Sequence, residues 1–245
     1  MAKRYAFPRK GTDVETWDFA VIWNNLTYFL IGSYPHGPIG GIALTLVLAV
    51  TSCVLSFIGG LILGLLCISR NRVISYTTLA AIEAVRGVPL LMVIFWMYFL
   101  LPSLLGHPIP EIRTVIAALT VFTSACMAQI VRAGVQGISQ GQREAALSTG
   151  LNEFQVLVYV VLPQGLRNML PSFVNQFVSL IKDTSLAYII GVSELTQVAT
   201  QVNNRSMIYS TEIFLFVAMI YFFICYSLSA FSKRLETRLS WHKSF

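Results

Sequence analysis

Few ionisable side chains lie inside the apolar segments of the chain, and four of them form two close pairs. Glu83 and Arg86 are three residues apart, so on a helix they share a face and can pair with each other. Lys182 and Asp183 are adjacent, point in different directions and need other partners. Because a charge at membrane depth is costly, such residues typically mark a path for a polar solute. The alternative is that all four lie near segment ends, where they reach solvent or hold subunits together.

Polar side chains close to the second pair extend this pattern along one helix face. Asn175, Ser179 and Lys182 follow i, i+4 and i+7 spacing, which predicts a polar stripe that faces the interior. Amide and hydroxyl groups of this kind can hydrogen-bond a polar solute. The candidate solute-contacting residues are Glu83, Arg86, Gln129, Asn175, Gln176, Ser179, Lys182, Asp183 and Thr184.

No catalytic or metal-binding set accompanies these residues in the sequence. The three histidines are isolated in loops or in the tail, and the four cysteines fall inside apolar segments without CxxC spacing. The phosphate-binding pattern GxxxxGK[ST] does not occur, so the chain cannot hydrolyse ATP by that route. We therefore expect no catalytic residues, no metal and no cofactor bound by this chain.

The composition indicates a protein that lies in a membrane. Hydrophobic residues make up 56% and charged residues 11% of the 245 residues, and the mean hydropathy is +0.69. Soluble domains carry about a quarter charged residues. The net charge of +6 comes from basic residues that are scattered singly between apolar segments or clustered at the chain ends. That distribution favours membrane orientation over nucleic-acid binding.

The apolar segments predict an all-α integral membrane protein with about five transmembrane helices. One span needs about 20 apolar residues, and glycine, proline and charged residues divide the chain into segments of at least that length. The expected spans cover about 42–69, 74–105, 112–136, 165–192 and 213–232. They form a transmembrane domain over 41–232, between a tail with an interfacial helix over 1–40 and a basic tail over 233–245.

Basic residues next to the spans predict the orientation of the chain. With the C-terminus in the cytoplasm, most loop arginines and the basic tail lie inside, as the positive-inside rule requires. The four basic residues near the N-terminus then lie outside, which fits the rule less well unless neighbouring acidic residues offset them. We predict a cytoplasmic C-terminus.

The longest predicted cytoplasmic loop, "GQREAALSTGLNEFQVLVYVVLPQ" over 141–164, is helical in character. Good helix formers come first, Gly150 interrupts them, and a second helical stretch runs to Pro163, which should end it. The paired alanines allow close approach by another backbone, while Arg143 and Glu144 offer charge-assisted contacts. This pattern favours docking of a cytoplasmic partner. The alternative is an amphipathic helix on the membrane surface.

The stretch "EAALSTGLNEFQVLVYVVLP" resembles the EAA loop of ABC importer permeases. Three further stretches, "RGVPLLMVIFWMYFLLP", "IVRAGVQGISQGQREAA" and "NQFVSLIKDTSLAYIIGV", resemble the polar amino-acid branch of that family, the histidine, glutamine and glutamate permeases. Val88 stands where members commonly have Thr or Ser. The residues that this resemblance assigns to coupling with an ATPase are Arg143, Glu144, Ala145, Ala146, Gly150 and Pro163.

The resemblance implies a permease subunit of the bacterial inner membrane whose short coupling helix pair binds a cytoplasmic ABC ATPase dimer. It also implies a second permease subunit, the same chain or a paralogue, and an extracytoplasmic binding protein that delivers the amino acid. ATP and Mg²⁺ then bind the partner subunit, and the permease, which is not an enzyme, moves its substrate by alternating access. The segment "FWMYFLLP" is similar to glutamate/aspartate permeases, so the first expected substrate is an acidic amino acid.

Other membrane functions stay open on the residues alone. An intramembrane enzyme would need a catalytic set, for which Ser179 and Lys182 have the spacing of a dyad. A channel would need a pore ring or a filter-like repeat, and neither is visible in the sequence. For a transporter, bending is expected at Gly59–Gly60, at Gly87–Pro89 and at Gly191. The alternative for these positions is tight helix packing by small residues.

Overall fold

The computed structural model describes residues 19–240, with side chains through 234, and this part of the chain is helical almost throughout. Residues 1–18 of the predicted N-terminal tail and 241–245 of the predicted basic tail lie outside the described range. The α-helices are α1 (Ala20–Asn24), α2 (Leu26–Ile31), α3 (Gly41–Cys67), α4 (Arg72–Arg86), α5 (Leu90–Phe95), α6 (Leu101–Leu105), α7 (Glu111–Gln136), α8 (Gln140–Ser148), α9 (Glu153–Gln155), α10 (Leu162–Asp183), α11 (Leu195–Ser206) and α12 (Ser210–Ser240).

Within the described residues, three single helices are long and apolar enough to cross a membrane. They are α3, α7 and the 210–234 part of α12. A fourth crossing forms if α4 and the segment 90–105 count as one span, although the two parts meet at an angle of 98°. These helices confirm the all-α membrane fold. The predicted segment 165–192 differs from a simple span, because α10 ends at Asp183 and a 3₁₀ helix, Thr184–Ile190, follows it.

Helices α3 and α7 pack closely because small side chains occupy one face of α3 from Ser52 to Gly64. Ser52, Ser56, Gly60 and Gly64 recur every four residues and are all buried. A Cβ atom on Gly60 would lie 2.4 Å from the Cβ of Met127 on α7, far inside van der Waals contact. Because α3 is continuous, the Gly59–Gly60 pair does not bend the helix. It forms a packing surface, as the alternative in the sequence analysis states.

The Gly87–Pro89 segment does bend the chain. Helix α4 ends at Arg86, α5 begins at Leu90, and the 98° angle lies between them. Proline has no amide hydrogen and disfavours a helical conformation at the residue before it. The 3₁₀ helix ends at Gly191, whose left-handed φ of 85° favours glycine.

Two leucine–proline pairs follow π-helical turns. The turn Trp96–Leu100 precedes Pro102, and the turn Val156–Val161 precedes Pro163. A proline ring clashes with the carbonyl four residues earlier, and the wider π turn relieves that clash. The expectation that the helix ends at Pro163 is wrong, because the helical backbone continues from the π turn through Pro163 into α10.

The predicted interfacial helix near the N-terminus consists of α1 and α2, which pack against α11 and α12. Phe29 is fully buried, and its ring meets that of Phe216 edge to face, with 5.2 Å between the centroids. Tyr28 lies under the guanidinium of Arg205 at 5.3 Å, an arrangement that favours the cation. These helices therefore belong to the packed bundle.

Substitution of Gly60 by alanine tests the close approach of α3 and α7. The added methyl group cannot fit beside Met127, so we expect a loss of about 1–3 kcal/mol in stability and a lower thermal midpoint in detergent. Gly141→Ala is the matched control, because no atom lies within 4 Å of that position and its φ is ordinary. Equal thermal midpoints for the two variants would contradict this packing.

Candidate functional site

The predicted coupling loop forms a knob of two helical pieces joined by a glycine turn. Helix α8 ends at Ser148, and Gly150 follows with φ at 90° and open space around it. A side chain here would be strained by the backbone alone, so the turn requires glycine. The second piece, α9, runs through the π turn into α10 without ending at Pro163. The knob is thus continuous with a long helix of the bundle.

Residues of α8 divide between an outer and an inner face. Glu144, Ala145 and Leu147 are exposed, and the Glu144 carboxylate accepts a hydrogen bond from Gln140 Nε2 at 2.7 Å. Ala146 is 7% exposed and packs within the chain's own core, among Val135, Ile138 and Val156. Only the outer face is available to a partner.

Arg143 turns toward the bundle. Its Nη2 donates to the carbonyl oxygen of Val135 at 3.0 Å, in the last turn of α7. Carbonyls at the end of a helix lack intrahelical donors and carry partial negative charge, so a guanidinium there is favourable. Arg143 therefore attaches the knob to α7.

Two further contacts hold the knob in place. Arg70, in the turn between α3 and α4, forms an ion pair with Glu153 at 2.7 Å. The Gln164 amide donates to Gln142 Oε1 at 3.0 Å and closes the base of the knob. The ion pair is largely exposed and is worth little by itself, but it connects the knob to a second helix end.

Asn152 starts the second helical piece with a reciprocal cap. Its Oδ1 accepts from the amide of Gln155 at 2.9 Å, while Gln155 Oε1 accepts from the amide of Asn152 at 2.9 Å. Such a capping box satisfies two donors that a short helix leaves free. This cap fixes the direction in which the chain leaves the glycine turn.

A polar cavity of about 560 Å³ lies where the end of α4 faces α7 and α10. Arg86 comes from α4, Gln129 from α7 and Gln176 from α10, all three of them predicted solute contacts. Half of the lining residues are polar, and residues such as Ile130 and Met169 form the rest. The cavity is open on one side and offers hydrogen-bonding groups to a small polar solute.

The charged pair at the cavity is formed as the spacing predicts. Arg86 Nη1 lies 3.2 Å from Glu83 Oε1, and Gln129 Nε2 donates to the same oxygen at 2.7 Å. The negative charge of Glu83 therefore offsets Arg86, and α4 is joined to α7 by the amide. The predicted pairing of Glu83 with Arg86 is confirmed.

The remaining predicted contacts do not line this cavity. Asn175 and Lys182 are exposed, and the hydroxyl of Ser179 donates to the Asn175 carbonyl at 3.3 Å. Thr184 is fully buried and donates to the Ile181 carbonyl at 2.6 Å. Asp183 is half-buried at the end of α10.

Two polar residues of the cavity were missed by the sequence analysis. Ser172 and Asn168 line the cavity one and two turns before Gln176, respectively. Their i, i+4, i+8 spacing predicts one shared helix face and was a usable signal. The stripe chosen instead begins at Asn175, one residue away, on a neighbouring face.

Comparison with known proteins now identifies the family of the chain. The family model described as "Binding-protein-dependent transport system inner membrane component" matches residues 56–241. The chain belongs to this family. It is 43% identical over 200 residues to "Probable glutamine ABC transporter permease protein GlnP" of Bacillus subtilis strain 168, covering 81% of this chain and 91% of that protein. It is also 31% identical over 216 residues to "Glutamate/aspartate import permease protein GltK" of Escherichia coli O157:H7, covering 85% and 96%.

Solved structures agree with the family assignment. "Crystal structure of an amino acid ABC transporter with histidines" contains a chain with a TM-score of 0.81 and 29% identity, covering 91% of this permease and 99% of that chain. A chain of the MetNI methionine ABC transporter, at 21% identity and a TM-score of 0.70, shares the fold, covering 80% and 93%.

This protein is an amino-acid ABC importer permease of the inner membrane. It is not itself an enzyme, since ATP hydrolysis belongs to a separate subunit in this family. The resemblance found in the sequence is therefore confirmed. The intramembrane enzyme and the channel are set aside.

The capping box predicts a graded response at residue 152. Asn152→Ala removes the side-chain acceptor and costs about 1 kcal/mol of helix stability, so ATP-driven uptake in proteoliposomes should fall several-fold. Asn152→Asp keeps an acceptor at the same place and serves as the control, with uptake near that of the unaltered protein. If both variants transport equally well, the cap does not govern the knob.

Proposed function

We propose that this permease subunit moves a polar amino acid across the membrane by alternating access, through the cavity between α4, α7 and α10. Two cytoplasmic ABC ATPase subunits, which hold ATP and Mg²⁺, dock on the outer face of the 141–164 loop. A second permease subunit, the same chain or a paralogue, completes the pathway, and an extracytoplasmic binding protein delivers the amino acid. The chain itself binds no cofactor.

The observation that carries this proposal is the form of the knob. Its outer face presents Glu144, Ala145 and Leu147, while Arg143 and Glu153 attach it to two different helix ends. A partner that pushes on this face therefore moves helices of the bundle as well as the loop. ATP binding by the partner can drive transport only if the two conformations of the permease bind it differently.

The distribution of basic residues supports a cytoplasmic C-terminus. Arg70 contacts the loop through Glu153. Cys225 and then Ser232 of α12 donate to the carbonyls of Val178 and Pro171 of α10, so α12 runs antiparallel to α10 and its end approaches the start of α10. The ends of α3 and α12 thus lie on the side of the coupling loop. Arginines and lysines are concentrated there, as the positive-inside rule expects for the cytoplasm.

The cavity favours a neutral polar amino acid with a carboxamide side chain, such as glutamine. Gln129, Asn168 and Gln176 offer amide donors and acceptors, whereas the single cation Arg86 is already offset by Glu83. A substrate that cannot hydrogen-bond to these amides leaves them unpaired. The site therefore selects against such a substrate. The 43% identical relative is named a glutamine permease.

Glutamate or aspartate, the expectation from the sequence, is the second candidate. Arg86 faces the cavity and can bind a side-chain carboxylate bidentately once it is released from Glu83. A relative at 31% identity is named a glutamate/aspartate permease. The two candidate substrates differ by one negative charge, so the same cavity can accommodate either of them.

The coupling role is tested with Glu144→Arg in proteoliposomes that contain the permease, its ATPase and its binding protein. Charge reversal on the outer face should abolish copurification of the ATPase and ATP-dependent uptake, while the thermal midpoint of the permease stays unchanged. Glu111→Arg is the same reversal on an exposed residue at the start of α7, and the ATPase should still copurify. A Glu144→Arg protein that retains its ATPase and its uptake would rule out this face as the docking surface.

The substrate class is tested with Glu83→Gln. The loss of this carboxylate leaves Arg86 unpaired, so competition by glutamate against labelled glutamine should strengthen by roughly tenfold, the effect of about 1.4 kcal/mol. Gln129→Ala removes the neighbouring hydrogen bond without a change of charge, and should weaken uptake without a change in this preference. An unaltered preference in Glu83→Gln would place the substrate elsewhere, and stronger competition by glutamate in the original protein would favour the acidic candidate.

A further inference from the structure

Glu194 is a buried carboxyl that the proposed transport path does not use. It is 0% exposed and lies at the start of α11, outside the polar cavity. Its carboxylate oxygens accept from the amides of Thr196 and Gln197 at 2.8 and 2.9 Å, and from the Tyr221 hydroxyl at 3.1 Å. A buried carboxyl is costly unless it is fully hydrogen-bonded, and here three donors from two helices satisfy it.

The same point joins the start of α3 to α11. The amide of Gly41 donates to the Ser193 carbonyl at 2.9 Å, and the amide of Leu195 donates to the Thr45 hydroxyl at 3.1 Å. Thr45 is fully buried. The residues on both sides of Glu194 therefore bond to α3, while its side chain bonds to α12 through Tyr221.

This junction lies at the end of the bundle opposite the coupling loop. Helix α3 begins at the junction and ends at the turn that contacts Glu153 of the loop. Helix α10, which lines the cavity, is separated from α11 by the 3₁₀ helix and by the left-handed turn at Gly191. A movement of α10 can be absorbed in that break, whereas α11 stays attached to α3 and α12 through the junction.

The hydrogen bond between Glu194 and Tyr221 is suited to a contact between α11 and α12 that opens and closes reversibly. Apolar side chains packed at such a place would expose their surface to water on each opening. A carboxylate and a phenol exchange their mutual hydrogen bond for bonds to water at a small net cost. The two amide contacts of Glu194 cap α11, so the cap accounts for the carboxyl, whereas the hydrogen bond from Tyr221 is the part of the contact that joins two helices.

We propose that Glu194 is a positioning residue whose contact with Tyr221 holds α12 against the joined ends of α3 and α11 in the resting transporter, on the side where the binding protein docks. This inference rests on the proposed function. While the contact is closed, it keeps the ATPase slow. Docking of the loaded binding protein opens it, and the motion passes along α3 to the coupling loop.

The test measures ATP hydrolysis by the complete reconstituted transporter with and without its substrate-loaded binding protein. Glu194→Gln keeps the size of the side chain but has one carbonyl oxygen for three donors. We expect the rate of hydrolysis without the binding protein to rise several-fold. The ratio of the rate with binding protein to the rate without it should fall toward one. Tyr221→Phe removes the other partner and keeps the helix cap. It should also raise the rate without binding protein and lower the ratio, as Glu194→Gln does.

Two controls and a double variant sharpen this test. Glu111→Gln and Tyr226→Phe make the same chemical changes at exposed positions and should leave both values unchanged. The double variant of Glu194 and Tyr221 should hydrolyse ATP no faster than Glu194→Gln alone, because both changes break one contact.

A purely structural role predicts a different pattern. If Glu194→Gln and Tyr221→Phe lower hydrolysis in equal proportion with and without binding protein, the contact only supports the fold and the proposal is overturned. Should Glu194→Gln fail to assemble, Tyr221→Phe decides the question by the same two values. If the rate of ATP hydrolysis by the unaltered transporter is the same with and without the binding protein, the proposed function itself is contradicted.

Discussion

The close contact of α3 with α7 is the constraint on which the other helices depend. Lipid tails are as apolar as the side chains that face them, so helices in a membrane associate largely through packing, and small residues permit the shortest approach. Ser52, Ser56, Gly60 and Gly64 supply that surface on α3. Helices α4 and α10 both pack against α7, and the polar cavity opens between them. One wall of the cavity is therefore held by the tightest contact in the bundle.

Prolines decide where the bundle departs from straight spans. At Gly87–Pro89 the chain turns by 98°, because Pro89 has no amide hydrogen and disfavours a helical conformation at Val88. At Pro102 and Pro163 a π turn precedes the proline and the helix continues. The second of these turns joins the coupling knob to α10 as one helical path, so the knob is not an appended loop.

The fold class and the helical form of the 141–164 loop could be predicted from the sequence, since both depend on residues that are close together along the chain. Apolar length indicates spans, and Gly150 with its flanking helix formers indicates the knob. The cavity was predicted in part, through Arg86, Gln129 and Gln176. Asn168 and Ser172 were missed because helix periodicity does not say which face meets α7. Glu194 was missed because its partner, Tyr221, comes from a helix whose register against α11 is set only by packing.

The attachments of the knob explain how the cavity can change width. Arg143 bonds to the end of α7, and Glu153 pairs with Arg70 at the end of α3. Because α3 and α7 are locked together, both attachments belong to one rigid unit, which also carries α4 through the bond from Gln129 to Glu83. Helix α10, the other wall of the cavity, continues directly from the knob through the π turn and packs against both α7 and α12. In the proposed function, a force on the knob therefore acts on both walls, on α7 through Arg143 and on α10 through the continuous helix. It shifts Arg86 and Gln129 on one wall relative to Gln176 on the other.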